Sequence, residues 1–145
     1  MNQYQLTLND EQVQMLLRAL DVYSRVGCGQ FNRILEMFRG DSRRPEDCSI
    51  QWEAQWETLF CFFKKQLLSL QGNASYSICS PEVPVDYRLA WDVLQIVRHH
   101  VSWEKRPEGN PMSVHFDPPM NTSGLPFCTI VTVAPGQMAS EQAGD

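Results

Sequence analysis

Arg88, Asp92, Gln95 and His99 recur at i, i+4, i+7 and i+11, a spacing that sets them along one side of a helix. A cation, a carboxylate, an amide and an imidazole in one line can hydrogen-bond a polar ligand without reacting with it. Arg98 adds a second cation beside the line, and Trp91 offers a flat ring at its border. Immediately upstream, GNASYSICSPEVPVDYRLAW (72–91) is a connector with more polar and aromatic groups than a link needs. Its Gly72 and its prolines are explained by ending one helix and starting the next. Asn73, Ser75 and Tyr76 are not. The candidate ligand-binding set is therefore Asn73, Ser75, Tyr76, Arg88, Trp91, Asp92, Gln95, Arg98 and His99. In it the arginines would meet phosphate or carboxylate, and Tyr76 or Trp91 would stack on a flat ring. The competing reading of the same residues is a solvated helix face with an Arg–Asp pair, and aromatics that seal the core edge.

Other chemistries find less support. The histidines are His99, His100 and His115. The first two are neighbours and point about 100° apart on a helix, and no H-x-x-x-H or H-E-x-x-H spacing occurs. No metal site and no cofactor is expected. His115 and Asp117 could share one face of a strand as an acid–base pair, with Ser77 or Cys79 as nucleophile. There is no G-x-S-x-G elbow and no phosphate-cradling glycine motif to go with them. A small hydrolase is thus the third reading, behind a ligand binder and a protein inhibitor.

The elements that must position these groups follow from periodicity. QYQLTL (3–8) alternates and predicts a short strand. Asn9 and Gln12 form a capping-box pattern that opens a helix through Val13, Leu16, Leu17 and Leu20 to Gly27. A shorter helix is expected over 30–39, then a charged turn over 40–47. A long helix follows over 48–70, ended by Gly72. Its apolar face (Trp52, Trp56, Leu59, Phe60, Phe63, Leu67, Leu70) makes it the expected centre of the molecule. The fourth helix spans about 84–103, with Leu89, Ala90, Val93, Leu94, Val97 and Val101 facing the core. MSVHF (112–116) and FCTIVTV (127–133) read as strands. The expected fold is α+β: a four-helix body with a small antiparallel sheet formed by the N- and C-terminal strands. One globular domain over 1–134 and a disordered tail over 135–145 complete the expectation.

Composition narrows the function classes. The 145 residues are 43 % hydrophobic and 20 % charged, which is globular rather than disordered. A net charge of −5 disfavours a partner such as a nucleic-acid polymer, although nine of the twelve cationic residues are arginine. Arg33, Arg39, Arg43 and Arg44 cluster but are interleaved with Asp41, Glu46 and Asp47. Five cysteines (28, 48, 61, 79, 128) show no C-x-x-C spacing. With no signal-like N-terminus and no apolar run of membrane-spanning length, reduced cysteines and a cytoplasmic location are expected. The NAS (73–75) and NTS (121–123) strings then match the glycosylation pattern by chance.

Three stretches, LRALDVYSRVGCGQF, GNASYSICSPEVPVDYRLAWDVLQIVRHH and VHFDPP, together resemble a family of small uncharacterised accessory proteins encoded by tailed bacteriophages and prophages. The resemblance covers about residues 13–119. It implies a phage accessory protein acting in the cytoplasm of a bacterial host, and it carries no catalytic residues. Such a protein would bind rather than catalyse. It would take up an anionic nucleotide-like ligand in an anti-defence role, or inhibit a host or defence protein. Either would be compatible with a closed homo-oligomer.

Overall fold

A computed structural model describes residues 4–38 and 50–133. Four α-helices follow in order: α1 (Asp10–Gly27), α2 (Asn32–Met37), α3 (Ile50–Leu68) and α4 (Val85–Lys105). A single 3-10 turn spans Val114–Phe116. The expected charged turn over 40–47, Arg39, Arg43, Arg44, Cys48 and the tail over 135–145 lie outside the described residues.

Helix α1 starts where its cap predicts. The Asn9 side chain accepts from the Gln12 amide at 2.9 Å, and the Asn9 amide donates to Gln12 Oε1 at 2.9 Å. Two N-terminal donors that have no helical partner are thereby satisfied. Gly27 is the last residue of the helix and its φ is not positive; packing is what requires a glycine there. A β-carbon would lie 2.1 Å from the Tyr87 ring, so α1 and Tyr87 of α4 approach closely here. Around it Ser24, Ala90, Leu94 and Val97 are buried, and the Tyr23 and Tyr87 rings sit 4.8 Å apart. This α1–α4 face is the main helix–helix contact among the described residues.

The expected α+β fold is not what forms: the described residues contain no strand and no sheet. Tyr4 and Leu6 of the expected first strand are 89 % and 76 % exposed. Alternation without a neighbouring ladder leaves backbone donors and acceptors with nothing but water. FCTIVTV runs extended and unpaired. Its tie to the helices is Thr132, which bonds His100 Nε2 at 2.9 Å and donates to Glu104. MSVHF instead curls into the 3-10 turn, capped by Ser113 Oγ, and lays Phe116 edge-on against Trp103 at 5.1 Å.

Helix α3 also departs from expectation. It ends at Leu68, where Ser69 (φ 56°) takes the left-handed conformation at once; Gly72 takes it too (φ 54°), but only beyond the helix end. Nor is it central among the described residues. Phe60 packs against Phe31 and Trp56 at 6.1 and 5.8 Å, but Leu59, Phe62, Phe63 and Leu67 are exposed. No helix of the described residues is long and apolar enough to cross a membrane.

Candidate functional site

The polar line of α4 faces a turn of the chain. Asp92 is 2 % exposed and accepts three hydrogen bonds. The Thr122 amide and hydroxyl reach Oδ1 at 2.9 and 2.7 Å, and the Ser123 amide reaches Oδ2 at 2.9 Å. Arg88 Nη1 donates to the Thr122 carbonyl at 3.2 Å, and the Arg88 carbonyl lies 3.2 Å from Thr122 Oγ1, whose single proton goes to the nearer Asp92. Gln95 exchanges two bonds with the Met120 backbone, at 3.1 and 3.2 Å. Burial raises the pKa of the Asp92 carboxyl, but the bonds from Ser123 and Thr122 outweigh it and leave that carboxyl below the usual range. Three of the nine candidate residues therefore hold residues 120–123 onto α4, as a side-chain substitute for a sheet edge.

Farther along α4 the same helix borders a cavity of about 430 Å³. Its lining joins α1 (Arg25), α4 (Trp91, Gln95, Arg98) and the segment with Val114, His115, Asp117, Pro118 and Met120. The guanidinium carbons of Arg25 and Arg98 lie 5.6 and 5.8 Å from the Trp91 ring centroid, within cation–π range. Arg25 is already neutralised by Asp21 at 2.8 Å and also donates to Gln30. Arg98 has neither an ion pair nor a hydrogen bond among the described residues, and its Nε and Trp91 Nε1 are buried donors without acceptors. Burial lowers the pKa of Arg98, the Asp21 charge opposes that shift, and Arg25 adds to it. His115 is lowered too, by burial and by the positive charge of Arg98. The cavity thus holds two guanidiniums, of which Arg98 lacks an acceptor, together with the Asp117 carboxylate and the apolar Val114, Pro118 and Met120.

The connector leads elsewhere. Asn73 and Ser75 line a second cavity, of about 270 Å³, with Gln30, Asn32, Glu57, Phe60, Cys61 and Lys64. Tyr76 is a pin rather than a platform. Its amide donates to the Cys28 carbonyl at 2.9 Å and its hydroxyl to the Leu68 carbonyl at 3.0 Å. His99 lies outside both linings, with its ring 6.2 Å from Trp103 and Nδ1 buried without a partner. The nine candidates accordingly do not converge on one cleft. Trp91, Gln95 and Arg98 share the α4 cavity, Asn73 and Ser75 share the connector cavity, and Arg88, Asp92, Tyr76 and His99 line neither.

His115 and Asp117 do line the α4 cavity, but the strand that would have aligned them is absent, and they share no hydrogen bond or ion pair. No Ser, Thr or Cys lines it with them. Sequence reasoning missed Arg25 and Lys64 as site residues. Arg25 sits in an ordinary helix register, and Lys64 lies beside the apolar stripe of α3. Only the folded chain carries them to a cavity. Comparison with known proteins leaves the geometry to stand alone: no family model, no curated protein and no solved structure matches the chain.

Proposed function

We propose that the protein is a non-enzymatic accessory protein of the phage type that takes up a small anionic, nucleotide-like ligand in the α4 cavity. The carrying observation is Arg98, an arginine lining a cavity without a hydrogen bond or contact ion pair among the described residues, its Nε buried without an acceptor. A buried donor without an acceptor is costly, and a phosphate or carboxylate delivered by a ligand removes that cost. The guanidinium fork suits such an oxyanion. The Trp91 indole, already attended by two guanidiniums, serves to orient them. A base would rest instead on Met120, Pro118 and Val114. The absence of a hydroxyl or thiol in the lining favours binding over covalent catalysis.

Thermal shift and calorimetry against a panel of nucleotides and non-nucleotide anions test this. A ligand that binds only the folded chain raises the melting temperature. Arg98→Met should lower its affinity at least about tenfold, in line with loss of a charge-assisted pair. Affinity should also rise as pH falls below the ordinary histidine value of about 6.5, because an anion beside His115 favours its protonated form. If no member of the panel shifts the transition, the ligand-binding reading falls.

A second reading, an inhibitor that docks on a host or defence protein, draws on the exposed Leu59, Phe62, Phe63 and Leu67 of α3, since apolar patches of this kind commonly mark protein contacts. Co-purification of a host protein, lost on Phe62→Glu, with no nucleotide effect would favour it.

A further inference from the structure

We infer that the connector cavity is a second, separate binding site, for a small zwitterion of the α-amino-acid class. Its anchor is Lys64, which is only 8 % exposed and yet has no carboxylate partner among the described residues. The ammonium donates to the Gly72 and Ala74 carbonyls at 3.3 and 3.0 Å. An ammonium has three protons to donate, so one is left, and the full positive charge is met only by neutral oxygens. Glu57 lines the same cavity and likewise has no ion pair among the described residues.

The two residues stand seven positions apart on α3, which sets their α-carbons about 10 Å apart along the axis at 1.5 Å per residue. They do not reach each other, and no Glu57–Lys64 ion pair forms. A simple anion would be drawn to Lys64 but repelled by Glu57, and a simple cation would meet the reverse. A molecule with a carboxylate and an ammonium on one carbon, with a hydrogen bond of nearly 3 Å at each end, spans about 9 Å. It satisfies both charges at once. Asn32, Asn73 and Ser75 add side chains that form no hydrogen bond among the described residues, and Phe60 supplies one apolar surface. The volume of about 270 Å³ suits a single amino acid better than a peptide.

Calorimetry with the free amino acids, each beside its deaminated and its decarboxylated analogue, tests the assignment on the full chain. At least one amino acid should bind, and both analogues should bind at least tenfold more weakly. Glu57→Gln, a change at an exposed position, should weaken binding by a similar factor without lowering the melting temperature. Lys64→Met should abolish it, but also loosens the connector, so Glu57→Gln is the deciding variant. Arg98→Met should leave it unchanged, whatever becomes of nucleotide binding at the α4 cavity. The inference is overturned if no amino acid binds at millimolar concentration. Equal binding of an analogue overturns it, and so does binding that depends on Arg98 and not on Glu57.

Discussion

The turn clamped on α4 and the connector beside α3 are both loops that carry Asn and Ser, and they use those residues in opposite ways. In the first, every polar group named above is turned onto the protein itself. Asp92, Arg88 and Gln95 take up the backbone of 120–123, and the Asn121 side chain closes the turn by accepting from the Gly124 amide and donating to the Leu125 carbonyl, each at 2.8 Å. In the second, Lys64 and Tyr76 hold the backbone, while Asn73 and Ser75 stay open to a cavity. A helix with regular spacing can present a continuous row of partners to an adjoining segment, and a buried row must then be satisfied. The connector is secured by two long side chains, which leaves Asn73 and Ser75 unused.

The contrast breaks most visibly at Asp92. Asp92→Ala leaves two backbone amides without an acceptor and turns the Thr122 hydroxyl to the Arg88 carbonyl, and should cost about 3 kcal/mol, read as a lower urea midpoint. Gly27→Ala forces the Tyr87 ring away from α1 and should cost about 2 kcal/mol by overpacking, read in the same way. Acid gives a smaller and graded test. The Asp92 carboxyl is depressed in the folded state, so its contribution is complete above the ordinary value of about 3.9. It is lost as the pH falls through the lower folded value. The urea midpoint should therefore decline below about pH 4, and Asp92→Asn should flatten that decline. Gln95→Ala removes the two-way exchange with Met120 and should cost about 1 kcal/mol. The smallest effect belongs to the connector. Asn73→Ala should leave stability within about 0.5 kcal/mol, and a larger loss would mean that Asn73 serves the fold as Asp92 does.

Much of the helical body was legible in the residue pattern. The Asn9–Gln12 box, the stop at Gly27 and the apolar register Ala90–Leu94–Val97 appear as read. The strands were not, because QYQLTL and FCTIVTV state only what a strand would look like if another strand stood beside it. The polar line of α4 was legible as a line, with its members on one side. Its role was not, since nothing in 120–123 announces that Thr122 would be buried against Asp92. The NTS string that imitates a glycosylation acceptor is the very turn the line holds.

Local interactions within a few residues are therefore what the sequence determined on its own: caps, helix registers, and the types of group available to each face. The tertiary structure decided which of those groups remain free. Arg98 and Lys64 are ordinary helical cations until packing withdraws part of their water without giving either a contact ion pair among the described residues. Asp92 is an ordinary helical acid until packing supplies three donors. Desolvation and long-range pairing depend on which segments meet, and that is a property of the folded chain rather than of any stretch of it.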